Sequence, residues 1–290
     1  MGWVEANVGS FQRLLEPLNT RIAEQSSRFR RSMNPATRSV SGAEVGLILS
    51  WMSGRVLGQY DLLAVEGDDT GDVVYYVGPN IVGLERRHGF PAREFRLWIA
   101  IHELTHRAQF TGVPWLREYF LGLVERGLSL ATPDTRTVFD ALSRAATEVR
   151  AGRNPLAEGG IVSMLASPAQ LTVLREAQAL MSLLEGHGDA VMSRAGASEI
   201  PGAKRFAKVL ADRRASAKGI SKLLQQAFGI DAKLRQYSEG EHFVEEVERK
   251  GGPVLFARVW NGPEMLPSLD EIRAPEQWIT RVSGVAPAPV

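Results

Sequence analysis

The residues of this chain best suited to chemistry are His102-Glu103-Leu104-Thr105-His106. On a helix, residues four apart sit about 40° from one another around the axis, so both imidazoles project the same way and offer two nitrogens to one metal ion. Glu103 stands about 100° round from His102, near enough to reach a water on that metal and poorly placed to be a third ligand. The chemistry this arrangement supports is metal-assisted hydrolysis. Zinc lowers the pKa of its water to roughly 7, and a neighbouring carboxylate takes the proton. The chain has only five histidines, His88, His102, His106, His187 and His242. Chance recurrence of the pattern is then rare, on the order of one chain in a hundred.

The motif needs a helix to work, and its flanks supply one. Phe95-Arg96-Leu97-Trp98-Ile99-Ala100-Ile101 runs straight into it, with apolar residues over most of the helix circumference, which predicts a buried central helix. Two histidines and a glutamate in such a setting need a partner, and a metal is the simplest one. Pro91 fits the first turn, where its missing N–H costs nothing, and Gly112 followed by Pro114 closes the helix.

Catalytic zinc sites keep three protein ligands and leave a position for water. A third histidine at 112 with glycine at 109 would be the metzincin pattern; Gln109 and Gly112 exclude it. The better candidate is Glu185-Gly186-His187-Gly188-Asp189, about eighty residues downstream at the end of a helical run. Glu185 and Asp189 share a helix face. Glu185 is placed to bind the metal and Asp189 to accept a hydrogen bond from the free ring nitrogen of a ligating histidine. His187 is the alternative ligand. It lies about 200° round from Glu185, so it competes only if the helix breaks at the glycines. Gly186 and Gly188 lower helix propensity by about 1 kcal/mol each. Their presence predicts a close backbone approach, assigned here to the helix of the histidine motif.

At these residues the chain resembles the zincin-like metallopeptidases, in particular the bacterial type 2 group, some of whose members carry a label associating them with deazaflavin-coenzyme biosynthesis. The resemblance rests on His102 to His106, on Glu185 to Asp189 and on the helices around them, and is strongest between about Asp72 and Met192. Two histidines with a distant glutamate are similar to the gluzincin arrangement. That resemblance implies a zincin-like fold with one Zn2+ per chain held by His102, His106 and Glu185, Glu103 as general base, and Asp189 as partner of a ligating histidine. The gap from the motif to Glu185 is much longer than in thermolysin-like enzymes, and no counterpart of their transition-state histidine stands out. His242 and Tyr237, five apart in a late helical region, are candidates for that role, with Tyr75 and Tyr76 as alternatives from the strand before the motif.

Composition narrows the rest. The chain has 290 residues, 44% hydrophobic and 23% charged, as ordinary globular proteins do. A formal net charge of +1 gives no general attraction to nucleic acid or membrane. There is no cysteine, which removes disulfides, thiolate ligands and thiol nucleophiles and leaves any zinc site to histidine and carboxylates. The N-terminal residues lack the basic and apolar regions of a signal peptide, and no run of about 18 apolar residues is present, so the expected location is the cytoplasm.

Along the chain, periodicity predicts helices over about 8–25 and 42–59, joined by a basic connector at 28–41. A hairpin follows, with strands over 62–65 and 72–77 closed by Gly78-Pro79-Asn80. After the motif, helices are expected over about 115–125, 134–151, 168–192, 202–218, 221–228 and 239–250, a short strand over 255–260, and a frayed tail from Val285. The basic residues between Lys204 and Lys222 read as a solvated helix face, because no aromatics interleave them. The fold class is therefore mainly α with a small β-sheet (α+β), in one zincin-like domain over 1–290, with the motif helix packed against a second ligand-bearing helix. The expected function is zinc-dependent hydrolysis of a peptide or amide bond. The alternatives are a small-molecule amide or ester as substrate, or a non-enzymatic domain with a closed structural zinc site.

Overall fold

The structure is a computed structural model and describes residues 54, 56–62, 73–129, 167–215 and 230–284. The helices expected over 8–25, 134–151 and 221–228, the connector at 28–41, most of the helix at 42–59 and the tail from Val285 lie outside these residues. The chain divides into two compact units, Met1–Arg107 and Ala108–Val290.

In the first unit, β1 (Gly58–Tyr60) pairs antiparallel with β2 (Val74–Tyr76), Gly58 opposite Tyr76 and Tyr60 opposite Val74. An antiparallel strand pair precedes the motif helix as expected, and Gly58–Tyr60 is strand in it; residues 63–65 of the strand expected over 62–65, and the turn at 67–71, lie outside the described residues. Gly58 and Gln59, which the helical period had claimed, are strand. Their pairing with the β-branched and aromatic run Val74-Tyr75-Tyr76 outweighs a local period that Gly58 itself weakens. Gly78-Pro79-Asn80 does not end in a turn: it opens α1 (Gly78–His88), with proline in the first turn. Helix α1 stops at Gly89, whose φ of 59° is in the left-handed region that glycine tolerates. Helix α2 (Ala92–Gly112) then carries the histidine motif, with the extent expected.

Aromatic packing and one ion pair join α1 to the start of α2. Phe90 and Phe95 have ring centroids 4.8 Å apart, and Ile81, Leu84, Trp98 and Ile99 are buried with them. Arg96 grips the buried Glu85 with two hydrogen bonds, Nε to Oε1 at 2.7 Å and Nη2 to Oε2 at 2.9 Å. That fork geometry restrains both helices at once. Helix α2 is not buried all round as expected: Leu97 and Leu104, two turns apart on one side, are about half exposed.

The second unit continues from the end of α2 through α3 (Leu116–Ser129), α4 (Pro168–Glu199), α5 (Ala203–Ala215), α6 (Ile230–Ala257), α7 (Leu269–Arg273) and α8 (Pro275–Ser283). Ser167 starts α4 with a capping box: its side chain accepts from the Gln170 N–H, and Gln170 returns a bond to the Ser167 N–H. Its core gathers Leu183 of α4, Phe243, Val244, Val247 and Phe256 of α6, Ile272 of α7 and Trp278 of α8. Leu180 and Leu184 of α4 meet Leu116 and Leu123 of α3 in a second cluster.

The close approach that Gly186 predicts is present, but its partner is α6. A Cβ on Gly186 would lie 2.5 Å from the Glu241 N and inside the Gly240 backbone, and one on Gly240 would lie 2.8 Å from the Ser182 carbonyl carbon. The two helices cross backbone to backbone, each contributing a glycine. The strand expected over 255–260 is instead the end of α6 and a 3-10 turn (Arg258–Trp260). Gly252, with φ of 73°, breaks α6, and Pro253 begins a new helical stretch that places Phe256 and Val259, three apart, in the core.

Candidate metal centre

Helix α2 places the two motif histidines as the four-residue spacing requires. Their Nε2 atoms lie 3.2 Å apart, and the rings meet edge to face with centroids at 4.6 Å. Two nitrogens at about 2.05 Å from a tetrahedral zinc would be about 3.3 Å apart. The rings thus stand at the spacing of two ligands on one ion. Each offers Nε2, the softer donor type that suits zinc better than calcium or magnesium.

Glu103 points elsewhere on the helix and is 6% exposed. It fits because β1 has a glycine where its carboxylate lies: a Cβ on Gly58 would be 2.5 Å from Glu103 Oε1. The strand backbone therefore covers the carboxylate from one side. Thr105 donates its hydroxyl to the Ile101 carbonyl one turn back, at 2.8 Å.

In the second unit, the last turn of α2 is tied to α4 by Gln109, which is 4% exposed. Its Nε2 lies 2.9 Å from the Leu184 carbonyl and 3.0 Å from His187 Nδ1. A carbonyl only accepts, so the amide nitrogen faces it, and the second amide hydrogen is left for His187. Nδ1 of His187 is therefore an acceptor, and the ring proton of the neutral imidazole sits on Nε2. Phe256 stacks on the same ring at 5.4 Å and Trp260 meets it edge-on at 5.5 Å. Leu184 and His187 bracket Glu185, and α4 is unbroken through Gly186 and Gly188. Glu185 and Asp189 accordingly remain one turn apart on one face, both half-buried.

Among the described residues, His102, His106 and Glu185 form a group that could hold a metal ion. Each offers one ligand atom, and these atoms lie within 4.8 Å of one another. His242 is exposed on α6, and Tyr237 lies in the same helix, outside the residues whose side chains are described. Sequence reasoning passed over Gln109 as more than an excluding residue, and passed over Gly58. A polar side chain three residues after His106 in an apolar helix was the available signal for the first; nothing local marked the second. No described helix is long and apolar enough to cross a membrane.

The chain is similar over 98% of its length to a solved structure from Chloroflexus aurantiacus described as "a putative hydrolase with a novel fold", at 33% identity and a TM-score of 0.68, covering 78% of that chain. No curated protein is significantly similar to it. The model of one family, zincin-like metallopeptidase, matches residues 1–279. By that match, spanning both histidines, Glu103 and Glu185, the chain belongs to the zincin-like metallopeptidase family.

Proposed function

We propose that the protein is a zinc-dependent hydrolase that cleaves a peptide or amide bond. The observation carrying this is the pair of Nε2 atoms 3.2 Å apart beside a buried glutamate on the same helix. Glu185 is the third ligand in this reading and Asp189 orients a ligating histidine. The neighbourhood of Glu185 supports its assignment over His187. The latter ring already uses Nδ1 on Gln109 and packs against both Phe256 and Trp260. Zinc when bound supplies a Lewis acid that polarises the scissile carbonyl and makes water acidic enough to lose a proton near neutral pH.

The chain's own residues do the rest. Glu103 takes one proton from the attacking water. The water oxygen bonds to the carbonyl carbon, and the π pair of the C=O moves onto its oxygen as an oxyanion. When the C=O re-forms, the C–N bond breaks, and Glu103 returns its proton to the leaving nitrogen. Water is consumed, an acid and an amine are released, and Glu103 ends as it began. Gly58 matters here because it lets the carboxylate sit under the strand, where burial sharpens its interaction with a proton or a cation.

The test is metal content by mass spectrometry beside activity on a quenched fluorescent peptide library. The parent should hold one zinc per chain. Glu185→Ala should lose or greatly weaken it, and Glu103→Gln should keep it while losing hydrolysis. Absence of metal in the parent after zinc is added back would sink this reading. Unchanged zinc in Glu185→Ala would move the third ligand elsewhere.

A further inference from the structure

We propose that Tyr76 is a catalytic residue: its hydroxyl donates a hydrogen bond to the oxyanion that develops on the substrate carbonyl. The inference rests on the hydrolase reading above and adds the group that reading lacks. Its basis is the register of the small sheet. Gly58 lies directly opposite Tyr76. The ladder bonds fall on either side of this pair, with the Val77 N–H donating to the Leu57 carbonyl at 2.8 Å and the Asp61 N–H to the Val73 carbonyl at 2.9 Å. Gly58 and Tyr76 are therefore a non-hydrogen-bonded pair, the closer kind, and their side-chain directions point to the same face of the ribbon. On that face, the space a Gly58 side chain would take is occupied by the Glu103 carboxylate.

Tyr76 thus projects from the face that covers the general base, and Tyr75, one residue earlier, projects from the other. Tyr76 is also 46% exposed, unusual for a large ring in a strand and open to a substrate. Burial of part of the ring raises its hydroxyl above the ordinary phenol value, and the nearby Glu103 charge raises it further. The hydroxyl stays protonated at neutral pH, as a donor must. A single donor of this kind is worth roughly a hundredfold to a thousandfold in rate.

The experiment compares zinc-loaded parent and Tyr76→Phe by calorimetry with two probes. N-phosphoryl-leucine amide carries a tetrahedral anionic phosphorus on the leucine α-nitrogen, in the place of the scissile carbonyl carbon; acetohydroxamate is a planar metal chelator with no such centre. The expected result is at least tenfold weaker binding of the phosphoryl probe to Tyr76→Phe, with acetohydroxamate affinity and zinc content unchanged. Equal affinity of both proteins for the phosphoryl probe would overturn the proposal. So would parallel weakening of both probes with loss of zinc, which would make the residue merely structural. If neither probe binds the zinc-loaded parent, the hydrolase reading fails first, and the role of Tyr76 with it.

Discussion

The Gln109 amide nitrogen lies 3.0 Å from His187 Nδ1, and the same nitrogen lies 2.9 Å from the carbonyl of Leu184. One side chain thus satisfies two acceptors on α4, on either side of Glu185. Replacing it with leucine would leave both acceptors without this donor in a buried setting, at a cost of about 2 kcal/mol. The expected fall in Tm is about 4–8 °C. Because the same bonds fix the turn carrying Glu185, zinc affinity should fall at least tenfold, read by competition with a fluorescent chelator. A Gln109→Leu protein with parental zinc affinity would confine Gln109 to stability.

The crossing of α4 and α6 gives a second prediction, opposite in sign to what helix propensity suggests. Alanine at 186 or 240 should favour helix by about 1 kcal/mol. At each position, however, the new methyl meets backbone atoms rather than a movable side-chain tip. Relieving that overlap means separating two helices that share Leu183, Phe243 and Val247 in one core. Overpacking of this kind costs about 1–3 kcal/mol and here offsets the propensity gain. Gly186→Ala and Gly240→Ala should each unfold at lower urea concentration than the parent. A stabilised variant would mean the helices can part without loss.

What the sequence made legible follows from how local each signal is. The spacing of His102, Glu103 and His106 is a property of one helix, and it survived intact. So did Glu185 and Asp189, which share a face of α4. The partner of Gly186 was not legible, because a glycine announces a close approach without naming what approaches. Gly58 was misread for a related reason. Its role depends on Tyr76 across the strand pair and on Glu103 more than forty residues away in sequence. Gly78-Pro79-Asn80 was ambiguous chemically, since proline after glycine serves both a turn and the first turn of a helix.

Gly58 carries the third prediction. A methyl there would overlap the Glu103 carboxylate, whose Oε1 would lie 2.5 Å away. Strand backbone moves less easily than a glutamate side chain, so Glu103 should give way. The histidines are on another part of the helix surface and should keep their positions. Gly58→Ala is expected to retain zinc and lose at least tenfold in hydrolysis of a peptide library. A crystal structure of the variant with Glu103 unmoved would refute this account.

The packing of the C-terminal helices depends on a carboxylate that acid neutralises. Arg281 of α8 donates to Glu271 of α7 at 2.6 Å and 3.0 Å, and to the carbonyls of Glu264 and Leu266 at 2.7 Å and 2.9 Å. Burial pushes the Glu271 carboxyl up, but the hydrogen bonds from Arg281 and Ser268 together hold it below its ordinary value of 4.5. A carboxyl depressed in the folded state stabilises the fold above its unfolded value and loses that contribution as pH falls through the folded one. Glu271→Gln keeps the capping box with Ser268, because glutamine serves equally at that position. It removes only the charge facing Arg281, a pair worth about 1 kcal/mol after solvent screening. At pH 7 the variant should melt about 2–4 °C below the parent. Below pH 4.5 the gap should close, because the parent loses the same charge by protonation. Melting curves of both proteins from pH 7 to pH 3 read this directly, and a gap that stays constant across the range would mean that the Glu271 charge does not stabilise the packing of α7 on α8.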